Sequence, residues 1–118
     1  AEDYKVLLNG IDPEFCGYAP DTGHIAKGGM DVMEVFQTYR PLISHVHFKD
    51  MTLAGQWSAM GDGDINHTRI MQYLHETGYQ GWIMVEEESD AAETEPDQVT
   101  LNNGAYVQKY WIKDLNRE

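Results

Sequence analysis

The chain of 118 residues is 42% hydrophobic and 24% charged, and its 8 basic and 20 acidic side chains give a formal net charge of −12. This length predicts a single domain over residues 1–118 with its own hydrophobic core. Three Trp, seven Tyr and three Phe supply enough apolar surface to exclude intrinsic disorder. The excess of acids disfavours nucleic acid and anionic membranes as partners, because both repel a negative surface.

Three further features bear on location. No apolar run approaches the roughly 18 residues of a membrane span. The first residues lack the basic and then apolar pattern of a secretory signal. Cys16 is the only cysteine and therefore has no internal disulfide partner. Together these features predict a cytoplasmic protein without a membrane partner.

Apolar periodicity predicts alternating helices and strands. A first helix ends at Gly10, a second begins at Asp31 with Glu34 completing a capping box, a third opens at Asn66 and a fourth starts at Asp97. Short, mainly apolar runs between them predict buried strands over residues 15–20, 42–48 and 81–85. The acidic run at 86–97 is expected to be mostly a solvated loop.

The predicted order is α-β-α-β-α-β-α, which is typical of an α/β fold with parallel strands and right-handed helical crossovers. A doubly wound sheet and a barrel both satisfy this order. The barrel is favoured, because no glycine-rich phosphate loop follows the first predicted strand. A complete (β/α)8 TIM barrel needs about 250 residues, so the chain is expected to form a segment of one.

Metal-competent side chains stand at the carboxyl end of each predicted strand. Asp21 follows the first strand, with His24 one turn beyond it. The second strand carries His45 and His47, and Glu86 follows the third. Carboxyl ends of parallel strands meet at one edge of a sheet, and carboxylates with an imidazole suit a divalent cation. A metal site is therefore expected there, although each residue alone is compatible with a capping or core role.

Four motifs resemble one known family. DTGHIAKGG at 21–29, HVHFKD at 45–50, the loop from Trp57 to GDGDI at 61–65, and GYQGWIMVEEE at 78–88 are similar to the xylose isomerase-like TIM-barrel superfamily. The resemblance is strongest to inosose dehydratase-like sugar phosphate isomerase/epimerase proteins. It implies that this chain is the C-terminal segment of the barrel, with its last three strands.

The resemblance also implies a set of metal ligands. Family members hold one divalent metal, Mn, Co, Mg or Zn, and the matching positions here are Asp21, His47 and Glu86. A fourth ligand of the family, a glutamate, belongs to a strand that would precede Ala1. Three of the four ligands are therefore expected in this sequence.

Further site residues follow from the same resemblance. His24 matches a histidine that touches substrate hydroxyls, and with Glu86 it is expected to be catalytic. Lys49 is expected at the rim of the pocket as a substrate-binding residue. Trp57 is expected either to pack against the protein or to stack on a sugar.

The implied reaction is proton abstraction next to a carbonyl of a sugar or cyclic polyol, through a metal-stabilised enediolate. Dehydration of the inosose dehydratase type is slightly favoured, while ketose 3-epimerisation and sugar isomerisation stay open. The chain could also be a non-catalytic module, inactive without the upstream half of the barrel. Because a barrel segment leaves apolar strand edges, a homo-oligomer or a complementing barrel half is the expected partner.

Overall fold

The computed structural model describes residues 1–112, so the last six residues of the expected domain lie outside the described part. The described residues form six α-helices and three β-strands. They are α1 (Glu2–Asn9), α2 (Thr22–Lys27), α3 (Val32–Tyr39), β1 (Val46–Met51), β2 (Trp57–Ser58), α4 (His67–Glu76), β3 (Ile83–Glu86), α5 (Asp90–Thr94) and α6 (Pro96–Val107). A 3-10 turn (Arg40–Leu42) follows α3, and a π-helical turn (Gln108–Ile112) follows α6. No helix within the described residues is long and apolar enough to cross a membrane.

The sheet has the order β2-β1-β3 and is mixed. β1 and β3 run parallel in a register that pairs His47 with Met84 and Lys49 with Glu86. β2 is antiparallel to the end of β1 and pairs Met51 with Trp57. The predicted all-parallel order is therefore not confirmed for this sheet: β1 and β3 are parallel, but β2 is an additional short strand that turns back onto β1.

The strand predicted over residues 15–20 is wrong in its length. Among the described residues, this region and the residue after it pair with their neighbours through two isolated parallel bridges, Tyr18 with Ile43 and Asp21 with His47. Phe15 is 82% exposed and Cys16 is exposed, contrary to a buried strand. The reason is local: the backbone N–H groups of residues 15 and 16 donate to the carbonyl oxygen of residue 12 at 3.1 and 3.0 Å, so they belong to a turn.

Helix starts agree with the capping residues of the sequence. The Asp31 carboxylate accepts the N–H of Glu34 at 2.7 Å, and the Asn66 side chain accepts the N–H of Arg69 at 3.1 Å. Two helices were not expected. α2 follows Asp21 directly, and α5 occupies part of the acidic run that was expected to be a loop.

The hydrophobic core lies on the helix-facing side of β1. Val46 and Phe48 are fully buried there among side chains of α3 and α4, with Phe36 and Leu74 as the largest contributions of those helices. Trp111 closes the cluster, with its ring centroid 5.3 Å from that of Phe48. Since side chains alternate along a strand, the opposite face of β1 carries the residues at 47 and 49.

Candidate metal centre

Asp21, His47 and Glu86 meet at one edge of the sheet. One potential ligand atom from each lies within 4.8 Å of the other two, and all three side chains are half-buried. Two backbone pairings produce this arrangement: Asp21 bridges to His47 on one side of β1, and Glu86 ends the parallel strand on the other. The structure therefore brings together the three residues that the sequence predicted as a ligand set.

Local hydrogen bonds orient these side chains. Asp21 caps α2, and its Oδ1 atom accepts the N–H of His24 at 3.0 Å. Nδ1 of His47 lies 3.2 Å from Oε2 of Glu86. A cap and a side-chain contact therefore restrict the rotamers of all three residues before any ligand binds.

The donor set fits a divalent cation. Two carboxylates and one imidazole supply the mixed oxygen and nitrogen donors that Mn²⁺, Co²⁺ and Zn²⁺ accept, and the carboxylates alone suit Mg²⁺. Within residues 1–112 this is the group of His, Cys, Asp and Glu side chains whose geometry could hold a metal. Partial exposure leaves room for further ligands from water or substrate.

Lys49, which was expected at the rim of the pocket, has a fully buried side chain beside the candidate centre. Its Nζ atom contacts Oε2 of Glu88 at 2.7 Å and Oε1 of Glu86 at 3.7 Å. It also lies 3.5 Å from Nε2 of His24. The ammonium group requires such partners, since an unpaired buried charge is strongly destabilising.

Trp57 lies beside the same cluster and is half-buried. Its ring meets His24 edge-on, with centroids 5.1 Å apart, and the ammonium groups of Lys49 and Lys27 lie 4.2 and 4.3 Å from the ring centroid. Gly23 permits this approach, since a Cβ atom there would lie 2.7 Å from Cζ3 of Trp57. The packing role expected for Trp57 is therefore present, and its contact with a sugar stays a prediction.

A family model described as xylose isomerase-like TIM barrel matches residues 1–109. The chain belongs to this family. The resemblance carried by the four sequence motifs is thereby confirmed, as is the assignment of the chain to a barrel fragment.

Similar proteins support the same conclusion about the xylose isomerase-like barrel. Inosose dehydratase of Lacticaseibacillus casei is 34% identical over 119 aligned positions, which cover 86% of this chain and 40% of that protein. Inosose dehydratase of Lactiplantibacillus plantarum is 28% identical over 131 aligned positions, covering 96% of this chain and 44% of that protein. The chain thus spans less than half the length of these curated relatives.

A solved structure described as a D-tagatose 3-epimerase-like protein has the same fold. Its TM-score is 0.62 at 23% sequence identity, and the match covers 92% of this chain and 42% of that one. The xylose isomerase-like fold of the segment therefore has support from both sequence and structure.

Two buried residues of this barrel segment were missed by sequence reasoning. Asp50 accepts the N–H groups of Met51, Gly61, Gly63 and Ile65 at 2.9 to 3.3 Å, and so organises the loop after β1. His67 packs near it, with Nδ1 4.0 Å from Oδ1 of Asp50. Asp50 lies within β1, and the loop path that it stabilises is not visible in the sequence.

The pair of Asp50 and His67 differs in its electrostatics from the pair of Lys49 and Glu88. Burial lowers the pKa of His67 below its ordinary value, against a smaller opposing effect of Asp50. Beside the candidate metal centre, the hydrogen bond from Lys49 lowers the pKa of Glu88. His67 is therefore kept neutral by burial, while Glu88 is kept ionised by a neighbouring cation.

Proposed function

We propose that this chain forms the metal-binding end of a barrel enzyme that acts on a sugar or cyclic polyol. The reaction proposed is proton abstraction next to a carbonyl group, of the inosose dehydratase type. The observation that carries the proposal is the convergence of Asp21, His47 and Glu86 within 4.8 Å at the strand ends of a xylose isomerase-like barrel segment. Similarity to inosose dehydratases at 27–34% identity supports the reaction class.

Asp21, His47 and Glu86 would hold the cation, which is proposed to be Mn²⁺, Co²⁺, Mg²⁺ or Zn²⁺. When bound, a divalent cation supplies Lewis acidity that makes a proton next to a coordinated carbonyl easier to remove. The chain contributes the orientation of the ligands through the Asp21 cap and the contact between His47 and Glu86.

The remaining roles belong to side chains around this centre. Glu86 is the proposed acid/base group, because its carboxylate is half-exposed and faces the other ligands. His24 is exposed beside the centre, and its imidazole is proposed to bind a substrate hydroxyl. The buried ammonium of Lys49 acts on substrate only through its neighbours or after a side-chain rearrangement. Trp57 is proposed to contact the sugar with the part of its ring that stays exposed.

Two outcomes can follow the same proton abstraction. Loss of a hydroxyl group from the adjacent carbon gives dehydration, whereas return of the proton to the opposite face gives epimerisation. Similarity to inosose dehydratases favours the first outcome. A ketose 3-epimerase or sugar isomerase is the second candidate, since a structure with this fold is described as D-tagatose 3-epimerase-like.

The segment is proposed to work with further barrel strands, from a second copy or from a complementing half. β3 has no neighbour on its far side among the described strands. Trp82 directly precedes this strand and is 78% exposed, and Met84 lies within it and is 47% exposed. A strand edge with exposed apolar side chains is a ready site for pairing. Without such a partner the segment is expected to be inactive.

Calorimetric titration with Co²⁺ tests the metal centre in the 118-residue chain itself. The expected result is measurable binding by the wild type and a loss of at least about tenfold in His47→Ala, because an imidazole ligand is removed. His45→Ala is the matched control, since it removes the same side chain from the same strand region outside the ligand set. Equal affinity of the His47→Ala and His45→Ala proteins would reject the proposed centre.

The reaction is tested on the segment together with its complementing barrel half, with an inosose and a ketose as alternative substrates. Mass spectrometry distinguishes loss of one water from formation of an isomer. A dehydrated product supports the favoured reaction, and an epimer supports the second candidate. No conversion of either substrate by the metal-loaded assembly would contradict both.

A further inference from the structure

Beside the proposed metal centre, the carboxylates of Glu86 and Glu88 both contact the buried ammonium group of Lys49. The Nζ atom of Lys49 lies 2.7 Å from Oε2 of Glu88 and 3.7 Å from Oε1 of Glu86. The Lys49 side chain is fully buried, whereas the Glu88 and Glu86 side chains are 50% and 40% exposed. A buried ammonium group must keep an anionic partner, so one of these glutamates has to serve it.

The two glutamates differ in their other contacts. Glu86 also contacts His47 through Oε2 and belongs to the proposed ligand set, so a bound cation would need this carboxylate. Glu88 lies two residues further along, on the same side of the chain, and makes the shorter contact with Lys49. The shorter contact thus falls on the glutamate that the metal centre does not use.

We propose that Glu88 is a positioning residue that binds the Lys49 ammonium and thereby leaves the Glu86 carboxylate available to a divalent cation. The proposal rests on the proposed metal-binding function. Glu88 does not ligate the metal in this arrangement. Its role is exerted through Lys49, which would otherwise take Glu86 as its carboxylate partner and oppose a cation at the same oxygen atoms.

The other neighbours of Lys49 cannot replace Glu88. His24 is a neutral or positively charged group at 3.5 Å, and the Trp57 ring offers a cation–π contact at 4.2 Å. Neither carries the negative charge that balances a buried ammonium. Removal of the Glu88 charge therefore leaves Glu86 as the one carboxylate that is in contact with Lys49 among the described residues.

Glu88→Gln tests this role, with Glu87→Gln as the matched control. Both changes remove one negative charge next to the centre, but the Glu87 carboxylate accepts hydrogen bonds from Ser89 and Asn103 instead of contacting Lys49. Co²⁺ titration of the 118-residue chain is expected to show a loss of about tenfold in affinity for Glu88→Gln, the size typical of groups that orient ligands. Glu87→Gln is expected to stay near the wild-type affinity.

A second pair of proteins separates positioning from simple charge. In a Lys49→Met background, Glu88→Gln is expected to have no further effect on Co²⁺ affinity, because the competing ammonium is gone. Direct attraction between Glu88 and the cation would instead give the same loss in both backgrounds. Circular dichroism melts confirm that each protein is folded.

A third variant covers the case in which Lys49→Met does not fold. Glu88→Asp keeps the charge but shortens the side chain, so it is expected to weaken Co²⁺ binding clearly more than Glu87→Gln does. Wild-type affinity in Glu88→Asp and Glu88→Gln, or equal losses in both Lys49 backgrounds, would overturn the positioning role while leaving the metal centre intact. Absence of Co²⁺ binding by the wild type would overturn the proposed function and this inference together.

Discussion

Oγ1 of Thr22 lies 2.8 Å from Nε2 of His67, and both side chains are buried although 45 residues separate them in the chain. The same hydroxyl group accepts the N–H of Lys49 at 2.9 Å and lies 3.0 Å from its carbonyl oxygen. This side chain thus adds to the backbone bridge between Asp21 and His47 and fastens the residue next to Asp21 to β1. The backbone bridge and the Thr22 contact together hold Asp21 in the candidate centre.

Thr22→Val is expected to destabilise the protein by about 1–3 kcal/mol, because it leaves buried polar groups of Lys49 and His67 without a partner. Thr22→Ser is the matched control, since it keeps the hydroxyl group and removes only a methyl group. The measurement is urea unfolding followed by circular dichroism. Equal stability of the Val and Ser variants would show that the hydroxyl group contributes nothing.

Stability should fall in mildly acidic solution because of His67. Burial lowers the pKa of His67 in the folded chain, so the unfolded chain binds the proton more readily. The unfolding free energy is therefore expected to decrease as the pH falls below about 6.5, the ordinary pKa of histidine. The carboxylates of Asp50 and Asp21 act in the opposite direction but are the smaller effect.

His67→Gln provides the comparison for this pH dependence. Glutamine does not titrate, so the difference in urea midpoint between wild type and variant should shrink as the pH is lowered from about 7.5 to about 5. Other histidines titrate in both proteins and cancel in that difference. A difference that is constant with pH would contradict a neutral, burial-shifted His67.

Sequence reasoning succeeded where the determinants are local or periodic. Helix caps at Asp31 and Asn66 follow from side chains that accept nearby N–H groups. The meeting of Asp21 and Glu86 with a histidine of β1 follows from the rule that carboxyl ends of neighbouring parallel strands share one edge, and the family resemblance implied His47 as that histidine. No knowledge of loop paths was needed for either prediction.

It failed at a local turn and at a contact between distant parts of the chain. An apolar run at 15–20 suggested a strand, but its first N–H groups are engaged by the Asp12 carbonyl in a turn. The family resemblance implied a position at the rim of the pocket for Lys49, and its burial against Trp57 and Glu88, which lies 39 positions later, was not foreseen. The contact between Lys49 and Glu88 leaves no signature in the local sequence.

Asp50→Asn is expected to loosen the loop at 52–64. The buried carboxylate accepts four backbone N–H groups, and an amide would turn its own N–H group toward some of these donors. Hydrogen bonds to a charged group contribute about 1.5–3 kcal/mol, so a destabilisation of that order is expected. Limited proteolysis should cut the loop faster than in the wild type.

Asp62→Asn is the matched control, because it makes the same change at an exposed position of the same loop and should be close to wild type. Comparable cleavage of both variants would refute the role of Asp50.

Gly23→Ala and Gly104→Ala make the same change in two helices and should have opposite effects. At Gly23 a Cβ atom would lie 2.7 Å from Cζ3 of Trp57 and 3.0 Å from the backbone oxygen of Lys49, so Trp57 has to move or α2 has to shift from β1. Overpacking of this kind costs about 1–3 kcal/mol. At Gly104 nothing lies within 4 Å of the added atom, and alanine in a helix is expected to stabilise by about 0.5–1 kcal/mol. Urea unfolding measures both changes in stability.

The same two variants test whether α2 positions the candidate centre. Because α2 begins at the residue after Asp21, Gly23→Ala should also weaken Co²⁺ binding, while Gly104→Ala should leave it unchanged. Unaltered stability and affinity in Gly23→Ala would show that α2 does not position the centre.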